Sequence, residues 1–253
     1  MYYLFDGTYL GFLCCVFESF ERKEFPITPL VHTDYQIALF AETRTIVTDN
    51  RKALRVQKGL QKRVGNVEAM DFYRAFLSED RKAWLASFFI LHQIFNGRAD
   101  IRQHYGNDQV LYFSQILKKV SRERHRMKAF IRFSKSSDGL YFALVEPDFN
   151  VLPLISDFFR KRYADMPWLI YDMKRKYGLL SDMRQVGEVH LSLKEVQGAA
   201  APSIAIALDE RDELFQHLWK HYYTSTNIEA RKNMKLHLQH VPRRYWKYLV
   251  EKK

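Results

Sequence analysis

Cysteine is nearly absent from this sequence: of 253 residues only Cys14 and Cys15 carry a thiol. Adjacent cysteines have poor geometry for a disulfide and form no spaced metal-ligand set, so a reducing, cytoplasmic setting is expected. Chain breakers are also few. Glycine and proline together number 17, while hydrophobic residues reach 47% and aromatics 15%, a balance too apolar for disorder and suited to a packed globular chain. The opening "MYYLFDGTYLGFLCCVFESF" is apolar but lacks a cationic leader and is interrupted by Asp6 and Glu18, so it reads as neither secretory signal nor membrane span. No low-complexity tract, internal repeat, phosphate-binding Gly-rich loop, dinucleotide fingerprint or nucleophile elbow is present.

What is abundant is positive charge, and it is segregated. The formal net charge is +11, yet residues 51–63, 118–135, 160–176 and 229–253 hold 28 Lys or Arg against 5 acids, leaving 12 bases and 24 acids elsewhere. Such segregation attracts polyanions, because each phosphate neutralised by Lys or Arg releases a counterion. Nucleic acid is the partner this charge pattern suggests. The bland alternative is four solvated faces that serve solubility.

Along the chain, Tyr2–Phe5 reads as a strand ended by the turn signal Asp6-Gly7, and 9–20 as a largely apolar helix. Pro26 and Pro29 bracket an extended segment, Thr43–Thr48 is β-prone, and Asp49 or Asn50 caps a helix through about Val64. Two packed helices follow over 66–95, with a break near Ser78 and a stop at Asn96-Gly97. Another covers 108–124. Met127–Phe133 and Leu140–Val145 are then expected to pair as an antiparallel hairpin across "SKSSDG". Residues 154–164 suggest a helix, 168–172 and 186–193 strands, and 209–223 a further helix.

The predicted fold is therefore α+β, a small mixed and partly antiparallel sheet surrounded by helices with a helical C-terminal extension. At 253 residues the chain is near the upper limit for one core. The reading is a single domain over 1–253, with 203–253 set apart as a candidate helical subdomain.

Two stretches carry the candidate chemistry. Arg122 and, in "ERHRMKAFIRF" (123–133) directly after it, Arg124, His125, Arg126 and Arg132 are placed to contact phosphates or bases. Glu123 and His125, two apart, could share one face of a strand as a proton-transfer pair. The structural alternative for these residues is a surface ion-pair cluster. Arg160 and Arg162 add cations. The tail "ARKNMKLHLQHVPRRYWKYLVEKK" contributes Arg231, Lys235, Arg243 and Arg244, with Tyr245 and Trp246 available to stack on unpaired bases. Its dull reading is a docked terminal helix with solvated charges. His217 and His221 in "HLWKH" lack a third ligand and the acidic partner of a zinc hydrolase. Asp6 and Glu18 lack regular nuclease spacing, so neither metal nor cofactor is expected.

The stretches "YLFDGTYLGFLCCVFESF", "ERHRMKAFIRF", "FFRKRYADMPWLIYD" and "LWKHYYTSTNIEARKNMKLHLQHVPRRYWKYLVEK", above all "HVPRRYWKYL", resemble a bacterial family of unknown-function domains called probable DNA metabolism proteins. Members are encoded beside a DNA-repair radical SAM protein or fused to a uracil-DNA glycosylase-like domain. The resemblance implies a DNA-repair setting and supplies no catalytic residues. This sequence lacks the glycosylase region and the three spaced thiolates of a radical SAM cluster, so it corresponds to the stand-alone form. The expected role is an accessory or recognition factor in repair that binds DNA, damaged or locally single-stranded. The alternatives are a nuclease or lesion-removing enzyme, and a protein partner of the radical SAM enzyme.

Overall fold

A computed structural model describes residues 1–34, 42–137, 139–190 and 241–249. The chain divides into two compact units, Met1–Ser121 and Arg122–Lys253.

The first unit is built on a short parallel sheet. Strand β1 (Tyr2–Phe5) lies between β2 (Thr28–Val31) and β3 (Thr43–Thr45), parallel to both. Pro29 is tolerated because β2 is an edge strand, where a missing N–H breaks no ladder on the outer side. Asp6 and Gly7 turn the chain into helix α1 (Tyr9–Glu21), whose cap, Thr8, accepts the Gly11 N–H at 3.0 Å. Gly11 is required there: a Cβ would fall 2.3 Å from Asp6 Oδ1. Asp49 caps α2 (Asn50–Val64) by accepting from the Arg51 and Lys52 amides, and Asp80 caps α4 (Arg81–Phe95) through the Ala83 amide. Between them lies α3 (Asn66–Phe76). These are the side-chain caps expected of Asp at helix starts.

An aromatic core joins these elements. Phe5 meets Phe12, Phe76 and Trp84, and the Phe76 and Trp84 rings stack at 5.2 Å. The indole N–H of Trp84 donates to the Phe76 carbonyl at 3.0 Å, so this buried ring carries no unpaired polar group.

Helix α5 (Asp108–Phe130) corrects the expected strand at 127–133. Val110, Phe113, Ile116, Val120, Glu123 and Met127 are all buried, and their spacing of three or four residues is helical rather than alternating. The helix therefore runs on past 124, and only Ser134–Lys135 forms strand β4.

The second unit holds a five-stranded sheet in the order β4-β5-β6-β7-β8, comprising β4, β5 (Tyr141–Val145), β6 (Trp168–Asp172), β7 (Tyr177–Ser181) and β8 (Val186–Val189). The reversal expected at "SKSSDG" is present: Ser136 accepts the Gly139 amide, and its Oγ exchanges hydrogen bonds with Leu140. β5 and β6 are parallel, joined through helix α6 (Leu152–Arg162), and the remaining pairs are antiparallel. Every residue of the central β6 is buried. Gly178 on β7 faces that strand closely, since a Cβ would come within 2.8 Å of the Ile170 carbonyl oxygen.

The α+β class holds, with the strands shared between two sheets rather than gathered in one. The expected helix at 209–223 lies outside the described residues. Near the C-terminus, Arg243–Tyr248 forms a 3-10 turn. Among the described residues no helix is long and apolar enough to cross a membrane.

Candidate nucleic-acid interface

In the second unit, three parts of the chain meet at Glu123. Its carboxylate is buried at 1% exposure and accepts from the Asp148 amide at 2.8 Å, the Tyr245 hydroxyl at 2.5 Å and Arg244 at 3.2 Å. Arg126 lies 3.8 Å away, one helical turn along α5. A buried carboxylate is tolerated only when its lone pairs are met in this way.

Asp148, in the loop after β5, is the next node. Its carboxylate pairs with Arg244 at 2.6 Å, and its carbonyl accepts from Arg175 at 3.1 Å and Lys174 at 3.4 Å. Arg175 also donates to the Pro147 carbonyl and pairs with the fully buried Asp172 at 2.8 Å. Asp172 in turn accepts from the amides of Lys174 and Arg175, which closes the tight β6–β7 turn.

Beside this network lies an open cleft of about 530 Å3. Lys174, Arg243, Arg244 and Lys247 line it, against Glu146 and Asp148. Lys247 pairs with Glu146 at 2.6 Å, and that hydrogen bond holds the Glu146 carboxyl below its ordinary range. Arg243 is exposed and has no ion-pair partner among the described residues. The chemistry offered is a cationic rim in which two side chains are fixed by carboxylates and one guanidinium is open to an anion.

The sequence-predicted residues distribute unevenly. Arg122 and His125 are exposed on α5, while Arg124 and Arg126 are half-buried. Glu123 and His125 do not pair. On a helix, residues two apart diverge, and here one is buried and the other exposed, which overturns the proton-transfer arrangement. Arg132 donates to the Ala129 carbonyl at 2.6 Å, closing the end of α5. Arg160 pairs with Asp157, and both Arg160 and Arg162 are exposed on the last turn of α6, where cations complement the helix dipole.

Tyr245 is 2% exposed and packs on Phe130 with ring centres 5.4 Å apart. Burial, then its hydrogen bond to Glu123, push its hydroxyl pKa far above the ordinary value. It is a core side chain, and no face of its ring is open to a base. Trp246 is half-buried and donates from its indole N–H to the Val241 carbonyl at 3.1 Å. Arg231 and Lys235 lie outside the described residues.

Asp6 and Glu18, in the first unit, are structural. Burial raises the Asp6 pKa, but hydrogen bonds from Thr8 and Thr48 outweigh it and leave the carboxyl below its ordinary value. Burial of Glu18 is likewise outweighed by Lys52 at 2.5 Å and Arg22 at 2.9 Å. Among the described residues, no group of three or more His, Cys, Asp or Glu is placed to hold a metal ion.

Sequence reasoning did not single out Asp148, Asp172, Lys174, Arg175 or Lys247. The only local signal was the acid-rich "EPD" at 146–148, and nothing near it in sequence names its partners.

Comparison with curated proteins and with solved structures finds no match. Residues 79–251, more than half of the chain, match a family described as a domain of unknown function, DUF4130. The range begins just before α4 and takes in the whole Glu123 network and the cleft. The chain belongs to the DUF4130 family of domains of unknown function.

Proposed function

We propose that this protein binds DNA, as an accessory or recognition factor in repair, through the exposed cations of its second unit. The observation that carries the reading is Arg243. It is an exposed guanidinium without an ion-pair partner among the described residues, set in a cleft beside Lys174, Arg244 and Lys247. A guanidinium presents a fork of donors matched to phosphate oxygens. The neighbouring pairs to Asp148 and Glu146 hold the other cationic side chains in place, which lowers the entropy lost when an anion docks. Arg122 and His125 are further exposed polar side chains on α5. The repair setting rests on the resemblance to probable DNA metabolism proteins, and the charge segregation along the chain agrees with a polyanionic partner.

A fluorescence-anisotropy titration of labelled duplex, single-stranded and mismatched DNA at two salt concentrations tests this. Affinity is expected to fall steeply with salt, with a slope of about −0.9 per phosphate neutralised on duplex DNA. Undetectable or salt-insensitive binding overturns the reading.

One observation favours a second reading. Two cations of the rim already engage carboxylates, at Arg244–Asp148 and Lys247–Glu146, so an acidic protein surface, such as that of a radical SAM partner, could dock there by exchanging these pairs. Co-purification that survives nuclease treatment, without DNA binding by the isolated chain, favours that partner.

A further inference from the structure

Helix α2, in the first unit, lies outside the range that matches the family. Over residues 51–63 it carries six Lys or Arg and no acid. Arg51, Arg55, Lys58 and Lys62 are all exposed, and their separations of four, three and four residues place them on one stripe. None has an ion-pair partner among the described residues.

This stripe is energetically awkward for a merely solvated face. Like charges one turn apart repel, and Arg51 in the first turn opposes the helix dipole, whereas Lys62 in the last turn complements it. Faces that serve solubility interleave both signs. Lys52 shows how the fold relieves a cation when it needs to: Glu18 and Glu21 lie 2.5 and 3.4 Å from its Nζ. Among the described residues none of the four stripe residues is ion-paired in this way, although Arg51 lies in the field of the capping Asp49 carboxylate.

Alongside the stripe is a groove of about 580 Å3 lined by Phe17, Phe20 and Phe95, with one acid, Glu21, which is paired with Lys52 at 3.4 Å. All three rings are half-buried, and one face of Phe20 is taken by the His92 ring stacked on it at 5.0 Å. Two arginines of α2 overhang it: the Arg55 guanidinium lies 5.6 Å from the Phe17 ring centre and the Arg63 guanidinium 4.9 Å from that of Phe95. Gly59 sits between them on the helix, where a Cβ would press within 3.2 Å of the Phe95 ring. The absence of a side chain lets that ring approach the helix at the groove floor.

We propose that α2 and this groove form a binding site for single-stranded nucleic acid, with phosphates along Arg51, Arg55, Lys58 and Lys62 and an unpaired base received by Phe17, Phe20 and Phe95. The inference rests on the DNA-binding reading and gives it a second location and a strand preference. A stripe of 11 helical steps is about 16 Å long, room for roughly three to five nucleotides of one strand. Aromatic faces and guanidinium planes accept any base, so recognition is of unpaired strand rather than of sequence. An anionic membrane fits less well, because the apolar side chains Ala53, Val56 and Leu60 of α2 are buried and the exposed Leu54 alone makes no continuous face to insert.

The test uses the full chain and an oligothymidylate carrying one 2-aminopurine, with duplex of the same length as comparison. Wild type is expected to prefer the single strand and to quench the 2-aminopurine on stacking. The quadruple variant R51A/R55A/K58A/K62A should bind at least ten-fold more weakly, with its salt slope reduced by roughly 3. Phe17→Leu, which keeps an apolar side chain, should lose the quench and about five-fold or more in affinity while the salt slope stays. Circular dichroism establishes that each variant is folded.

Full affinity in the quadruple variant, with loss on K174A/R243A instead, overturns this site and leaves the DNA-binding reading standing. Equal α2-dependent affinity for duplex and single strand overturns the capture of a base. Tighter α2-dependent binding to phosphatidylserine vesicles than to the oligonucleotide overturns the ligand assignment. No binding of wild type to any of these nucleic acids overturns both readings.

Discussion

Tyr245 donates its hydroxyl to Glu123 at 2.5 Å, joining two residues 122 positions apart inside one unit. Arg244 completes the contact, donating at 2.6 Å to the Tyr245 oxygen and at 3.2 Å to the other oxygen of Glu123. The C-terminal 3-10 turn is thereby fastened to α5 by polar groups as well as by the Tyr245 ring. Removing the hydroxyl in Tyr245→Phe keeps the ring packing and takes away one donor, so about 1 kcal/mol of stability should be lost. Glu123→Ala should cost more. It strips the acceptor from the Tyr245 hydroxyl and the Asp148 amide together, at about 1–3 kcal/mol for each buried group left unpaired. Urea unfolding of the two variants and of the double variant checks this, and independent, additive losses would contradict a shared network.

Alkali should act most strongly on the same tyrosine and on three others. Burial raises the hydroxyl pKa of Tyr3, Tyr9, Tyr245 and Tyr248, and hydrogen bonds to Glu24, Glu123 and Glu146 add to it for Tyr3, Tyr245 and Tyr248. A folded pKa above the unfolded one means that the stabilisation is complete below the unfolded value, about 10, and is lost as pH climbs beyond it. Absorbance at 295 nm should therefore show a late group of tyrosines that ionises only with unfolding. A single smooth titration near the ordinary value, with the fold intact, contradicts this.

How the sequence encodes the network explains what could be read in advance. Caps and periodicity are local, so Asp49 and the apolar repeats of α1 to α4 announced their helices directly. At 123–133 two local signals compete. The aromatic and β-branched residues of "AFIRF" favour a strand, whereas Val120, Glu123 and Met127 keep the helical period only if Glu123 is counted as a core position. An acid is a core residue here because Tyr245, Arg244 and the Asp148 amide answer it, and none of them is near in sequence. Tyr245 was misjudged for the same reason: a Tyr-Trp pair among cations looks like a stacking platform until its hydroxyl finds a buried acceptor. Strand β7 was passed over because Tyr177–Ser181 is short and begins one residue after the basic turn "KRK".

Asp172 and Arg175 form a second, more deeply buried pair, with side chains 0% and 9% exposed. Arg175→Ala leaves Asp172 its two amide donors but removes its counter-charge and also frees the carbonyls of Pro147 and Asp148. Breaking a buried pair from one side costs about 3–5 kcal/mol. Asp172→Asn, which retains an acceptor for the turn amides, should cost less. Thermal unfolding of the two variants gives the ranking, and an Arg175→Ala protein as stable as wild type would show that the clasp contributes little.

In the first unit, the Glu18 carboxyl is held below its ordinary pKa because hydrogen bonds from Lys52 and Arg22 outweigh its burial. A depressed folded pKa gives stability that is present above the unfolded value, about 4.3, and disappears as pH falls through the folded value. Lys52→Met should therefore be destabilised most at neutral pH, with the deficit shrinking on acidification through this window. Urea midpoints measured from pH 7 to pH 3 check the convergence. A deficit that stays constant with pH assigns the effect of Lys52 to its packing over Phe17, 5.1 Å from the ring centre, instead of to its charge.

Neighbouring arginines in the cleft separate binding from folding. Arg243 is exposed without an ion-pair partner among the described residues, whereas Arg244 is committed to Glu123, Asp148 and Tyr245. Arg243→Ala should leave stability within about 0.5 kcal/mol of wild type and weaken DNA binding across sequences, with the salt slope reduced by about 1. Arg244→Ala should lower both stability and affinity, because the Tyr245 and Asp148 contacts that hold the rim depend on it. Parallel anisotropy and denaturation series on the two variants decide the matter. If Arg243→Ala binds with wild-type affinity and slope while Arg244→Ala loses stability alone, the cleft is a structural seam and the phosphate contacts lie elsewhere on the protein.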